Sequence, residues 1–161
     1  MNPSEQKPRP IVGWREWLEL PDIGIEAIKA KVDTGARSSA LHAFDVEIFQ
    51  QGGKEMVRFK VHPFQRDREV TVEGVAELID RRRVRSSEGT ESMRPVILTH
   101  VKLLDQLWPI EVTLTRRDTM GFRMLLGRQA VRCRFLVEPG RSYLAGRLKQ
   151  RRTGKNKRTS S

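Results

Sequence analysis

Single apolar positions alternate with single polar ones along most of this chain, which is the period of half-buried strands. Ile25 to Val32 alternates up to a turn at Asp33. Val46 and Ile48 alternate with Asp45 and Glu47, and Val57, Phe59 and Val61 with Arg58 and Lys60. Between those two runs, Gln51-Gly52-Gly53-Lys54 has the chemistry of a hairpin turn. Val70 and Val72 open a further strand. Val96 to Leu103 and Leu107 to Thr115 pair across Leu104-Asp105-Gln106, with Trp108, Ile110, Val112 and Leu114 on one face. Helical periodicity is confined to Arg116 to Met120 and Gly127 to Arg132, and no internal repeat is evident. The pattern predicts an all-β fold, a small closed or nearly closed barrel with one short helix late in the chain.

Length and composition narrow the class. A chain of 161 residues holds one domain with a real core. The expected organisation is a flexible N-terminus over 1–10, one domain over 11–146 and a disordered basic tail over 147–161. No apolar run approaches the roughly 18–20 residues that span a bilayer, and MNPSEQKPRP lacks the apolar centre of a secretory signal. The lone Cys133 excludes an intramolecular disulfide framework, and its apolar surroundings predict a core position in a strand. A cytoplasmic protein without membrane contact is expected.

The net charge of +11 resembles a nucleic-acid signal until it is divided along the chain. From Arg147 to Ser161 there are seven Lys or Arg and no acids, which leaves 24 basic against 20 acidic residues elsewhere. The tail is therefore either a solvated, solubilising segment or an electrostatic contact to RNA, the ribosome or an acidic peptide. A second basic run is Arg81-Arg82-Arg83-Val84-Arg85. It reads either as a charged edge strand that resists edge-to-edge aggregation or as an anion-binding rim beside a cleft.

Candidate chemistry is concentrated in Asp33-Thr34-Gly35-Ala36, where a carboxylate leaves a strand on a tight turn. The Thr34 hydroxyl is placed to lock that turn, and Gly35 allows close backbone approach. Met124-Leu125-Leu126-Gly127-Arg128, an apolar strand ending in Gly before a short helix, completes a two-part signature. Metal ligation has little support, because His42, His62, His100 and Cys133 each stand alone. No phosphate loop is present, and Thr153-Gly154-Lys155 lacks the strand and loop that would give it meaning. No cofactor is expected.

The pair DTGA and LLGR resembles the retropepsin-like aspartic proteases. With KVDTGARSSALHAF, RRRVRSSEGTESMRPVI, WPIEVTLTRRDTMGFRMLLGRQA and the closing RSYL, the chain is similar from about Ile11 to Leu144 to the bacterial retropepsin-like family that accompanies ATP-grasp ligases resembling the ribosomal-protein glutamate ligase. Some members carry the label ATP-dependent zinc protease, which the residues here do not support. The resemblance implies an aspartic endopeptidase with Asp33 as catalytic acid and base, Thr34, Gly35 and Ala36 as its loop, and Leu126, Gly127 and Arg128 as the supporting motif. Such chemistry needs two carboxylates sharing one proton around a water. Only one Asp-Thr-Gly is present, so the resemblance implies a homodimer with Asp33 from each chain at a two-fold axis. Asp118-Thr119-Met120-Gly121 is the nearest internal imitation, and its extra residue displaces the glycine; Asp118 is the minor alternative, for a monomer.

Two features depart from the viral pattern. Arg37-Ser38-Ser39 stands where an acid would pair with Arg128, leaving that partner open. A viral-type glycine-rich flap is missing, and the Gln51 to Lys54 hairpin is the candidate cover. The family association suggests acidic or glutamate-modified protein tails as substrate. The competing class is a non-catalytic barrel that binds ribosome, RNA or acidic peptides.

Overall fold

The computed structural model describes residues 8–64, 70–85, 88–116 and 121–146. The helical pattern expected up to Met120, the Asp118 alternative and the basic tail fall largely or wholly outside those residues. Among the described residues ten strands dominate: β1 (Ile11–Leu20), β2 (Ile25–Asp33), β3 (Ser39–His42), β4 (Phe44–Gln51), β5 (Lys54–Val61), β6 (Val72–Arg85), β7 (Glu91–Leu103), β8 (Gln106–Thr115), β9 (Met124–Gly127) and β10 (Leu136–Ser142). A 3-10 turn, Pro21–Ile23, joins β1 to β2, and one helix, α1 (Arg128–Val131), follows β9.

The strands hydrogen-bond in the order β10-β1-β2-β9-β3-β8-β7-β6-β5-β4. β7 also returns to β1 through Glu19 and Lys102, which closes six strands, β1-β2-β9-β3-β8-β7, into a barrel. β6, β5 and β4 continue from β7 as an antiparallel arm, and β10 lies parallel to the first half of β1. Alternation explains the interior. Trp108, Ile110, Val112 and Leu114 of β8 are all buried, and they meet Leu20, Ile28, Leu41, Ile97, Leu103 and Met124. Burying each such side chain contributes roughly 2 kcal/mol.

The expected hairpins form. Gly52 and Gly53 adopt φ of 60° and 80°, the left-handed pair that a two-residue hairpin turn requires. The β7–β8 turn is tighter than expected, with β8 starting at Gln106 and Leu104 at φ 57°. β6 starts at Val72, not Val70. β5 supports β6 only from Val72 to Glu77, whereas β7 pairs with it from Glu77 to Arg85. The arginine run therefore occupies a stretch with one open edge, as the edge-strand reading expects.

Two polar devices secure β1. Glu16 is fully buried on the face it shares with Leu18 and Leu20, where its carboxylate accepts the N–H groups of Gly13 at 2.6 Å, Leu144 at 2.9 Å and Ala145 at 3.0 Å. Those bonds satisfy a charge that burial would otherwise penalise, and they tie the closing RSYL segment to the barrel. Tyr143 stacks on Trp17, and Arg15 Nε donates to Ser142 Oγ at 3.1 Å. Beyond the end of β1, Asp22 Oδ2 accepts the His100 backbone N–H and lies 2.8 Å from its Nδ1, which holds the Asp22 carboxyl below its ordinary range.

Candidate active site

Asp33 is the last residue of β2, and parallel pairing with β9 sets it opposite Gly127, with Val32 opposite Leu126. The chain then reverses. Asp33 C=O accepts from Ala36 N–H at 3.2 Å, and Asp33 Oδ1 accepts from Gly35 N–H at 2.9 Å. The second motif grips this turn from the other side. Arg128 N–H donates to Ala36 C=O at 2.7 Å, Gln129 N–H to Arg37 C=O at 3.0 Å, and Arg128 Nη1 to Thr34 C=O at 3.0 Å. Two segments far apart in sequence thus form one unit, and the partner of Arg128 that the sequence left open is the Thr34 carbonyl.

Asp33 itself is half-buried, and Thr34 and Gly35 are exposed beside it. Among the described residues no cation forms an ion pair with the carboxylate, and its one hydrogen bond comes from Gly35 N–H. A carboxylate held by a single amide at the open end of a barrel keeps lone pairs free for a water. Alone it cannot accept that water's proton and protonate an oxyanion in the same step.

Several expectations are corrected by the geometry. Thr34 contributes its carbonyl to the turn, as acceptor for Arg128. The glycine demanded by close approach is Gly127, where an added Cβ would lie 2.5 Å from both C and O of Ser38. At Gly35 a Cβ would meet only Asp33 Oδ1, at 3.2 Å. Cys133 is exposed, in the turn after α1 at φ 68°, and not in a core strand. α1 is fixed instead by Trp108, whose indole N–H donates to Ala130 C=O at 3.1 Å.

The arginine run is not a free anion-binding rim. Arg81 bonds Glu55 at 2.7 Å, Arg82 bonds Glu111 at 2.9 Å, Arg85 bonds Glu91 at 2.9 Å, and Arg83 lies 3.7 Å from the same Glu91. Only Arg82 reaches a cleft near the Asp33 turn, donating there to Ser38 Oγ at 3.2 Å. That cleft, about 1020 Å³, runs between the residues after the turn, β8 and the end of α1. Its cations are Arg37, Arg82, Arg132 and Arg134. Arg134 stacks on Trp108 and contacts Gln106, whereas Arg37 and Arg132 have no carboxylate partner among the described residues. Neither was marked as a charge site in the sequence, because they lie 95 residues apart and only the fold brings them to one cleft. The Gln51–Lys54 hairpin contributes no residue to this cleft. Among the described residues no group of three or more His, Cys, Asp or Glu could hold a metal ion.

A closed β-barrel in which an Asp-Thr-Gly turn is clasped by a Leu-Leu-Gly-Arg strand end defines a retropepsin-like protein. The chain belongs to the RimB-like family: the family model described as retropepsin-like aspartic endopeptidase RimB matches residues 11–148. A protein from Desulfotalea psychrophila named probable alpha-L-glutamate ligase is 42% identical over 152 residues, covering 94% of this chain and 33% of that protein. A protein of the same name from Parasynechococcus marenigrum is 46% identical over 140 residues, covering 87% and 30%. The chain spans about a third of the length of these curated relatives, whose name accords with the expected association with glutamate ligases. The crystal structure of Lpg0085, a protein of unknown function from Legionella pneumophila, superposes with a TM-score of 0.71 at 28% identity, over 86% of this chain and 99% of that one.

Proposed function

We propose that this chain is one half of an aspartic endopeptidase, with Asp33 from two copies activating a water between them. The observation that carries the reading is the Asp33 carboxylate itself, set opposite Gly127, steadied by Gly35 N–H and without an ion-pair partner among the described residues. One Asp33 takes a proton from the water as it attacks the peptide carbonyl, and the other protonates the developing oxyanion. The second copy is supported by the surface around the turn. Ile11 and Leu136 pair with each other, are each 51% exposed, and lie at the end of β1 that runs antiparallel to the Asp33 end of β2. An apolar pair beside a half-site is suited to burial against a symmetry mate.

The substrate class that fits the cleft is a protein or peptide with an acidic stretch, including glutamate-modified tails, because Arg37 and Arg132 offer cations with no carboxylate partner among the described residues. The glutamate-ligase names of the relatives point the same way. No helix among the described residues is long and apolar enough to cross a membrane, in keeping with cytoplasmic work on such tails. The same arginines favour one competing reading, a barrel that captures acidic peptides, or ribosome and RNA through the tail, without cutting them.

Asp33→Asn separates the two. Hydrolysis of an unstructured acidic protein should fall by about 10³-fold or more, while capture of the same protein persists. Equal hydrolysis by the variant would remove Asp33 from the chemistry.

A further inference from the structure

Ser39 is a buried hydroxyl that the chemistry above does not use. It opens β3, is 3% exposed, and its Oγ accepts the Gly127 N–H at 3.0 Å. The β3–β9 ladder pairs Ala40 with Leu125 and Leu41 with Met124, and Gly127 lies two residues past the end of that ladder. There the backbone of Ser38 crosses Gly127 too closely to admit a Cβ. A side-chain oxygen thus receives the amide where the strands cross.

We propose that Ser39 is a positioning residue for Asp33, its hydroxyl holding Gly127 in the place that sets the carboxylate; the inference rests on the aspartic-protease reading. Gly127 is the residue opposite Asp33, and the next residue, Arg128, carries two of the bonds that grip the Asp33 turn. Without the hydroxyl, Gly127 N–H is buried with no acceptor, and a strand end regains a bond only by moving. Any such movement is transmitted to Ala36 and Thr34 through Arg128. Among the described residues the Ser39 hydroxyl bonds Gly127 and not Asp33. Its effect should therefore appear in the rate of the chemical step and leave substrate binding largely unchanged.

The test uses the full chain with Ser39→Ala, Ser39→Cys and Ser39→Thr. Alanine removes the acceptor, cysteine keeps the volume with a weak acceptor, and threonine keeps the hydroxyl. Expected for Ser39→Ala is a kcat lower by about 10-fold or more with KM within roughly 2-fold, since small misplacements of reacting groups are costly. Ser39→Cys should be intermediate, and Ser39→Thr should return kcat to within about 3-fold of the wild type. A second readout needs no activity: the NMR amide resonance of Gly35, whose N–H bonds the Asp33 carboxylate, should shift in Ser39→Ala and return in Ser39→Thr. An unmoved Gly35 resonance in Ser39→Ala, or in Ser39→Cys where alanine does not fold, overturns the proposal; so does a lowered melting temperature with unchanged kcat. Wild-type protein with no Asp33-dependent hydrolysis would defeat the protease reading alone. The Gly35 resonance then decides whether Ser39 sets the position of Asp33.

Discussion

Arg81, Arg83 and Arg85 are near neighbours in the chain, yet in space they face Glu55 and Glu91, while Arg37 and Arg132 are far apart in the chain, line one cleft and have no carboxylate partner among the described residues. Charge density along a sequence is therefore a poor guide to the field a ligand meets. On a β-arm each side chain has partners across the ladder and on the adjacent strand, and an arginine run invites glutamates there. At the open end of a barrel, side chains leave turns and a helix end in several directions, and nothing in the local pairing neutralises them. The same contrast holds for the backbone. The Asp33 end is held by short hydrogen bonds between segments distant in the chain, and the β6 arm by its ladders with β5 and β7, with exposed ion pairs across them.

The largest effect separating the two regions should come from Gly127→Ala. Its Cβ would collide with the Ser38 main chain, which cannot yield as a flexible side chain would. A loss of about 3 kcal/mol, or roughly 6–12 °C in melting temperature, is expected. Gly35→Ala should shift the midpoint by less than about 2 °C, as its Cβ meets only the Asp33 carboxylate. Equal thermal shifts for the two glycines would erase the distinction. Scanning calorimetry on both variants provides the check.

A middle effect is expected from replacing the cleft cations. Arg37→Gln with Arg132→Gln should weaken capture of an oligoglutamate peptide by about 10-fold and flatten its salt dependence, with little change in stability. The smallest belongs to the β6 run. Replacing Arg81, Arg83 and Arg85 by Gln should change the same affinity by less than about 2-fold and stability by at most about 1 kcal/mol, because exposed pairs contribute little. Fluorescence anisotropy at two salt concentrations distinguishes the sets, and the reverse ranking would restore the run as the anion site.

Much of this was legible in the sequence for physical reasons. Period-two alternation marks strands that bury one face, so β2, β5 and β8 and the all-β class follow directly. The Asp33 turn and the Gly127 strand end were readable because each requires particular residue types at fixed spacing. What escaped depends on tertiary geometry. Glu16 went unremarked in the sequence, although its even spacing with Leu18 and Leu20 places it on the inward face. Cys133 stands between Arg132 and Arg134, with Val131 and Phe135 one residue further on, and the chain turns there with positive φ and exposes it. Gly35 attracted the argument that belongs to Gly127, since only the crossing of β9 over Ser38 shows which glycine lacks room.

The proposed hydrolysis requires two copies of Asp33 to meet. Wild-type and Asp33→Asn chains carrying different tags, tethered so that the mixed pair can be isolated, provide the decisive assay on an acidic protein substrate. The mixed pair should retain no more than about 5% of the activity of the wild-type pair, because each site would hold a single ionisable carboxylate. Half the wild-type activity would mean that each chain works alone, and would contradict the shared site.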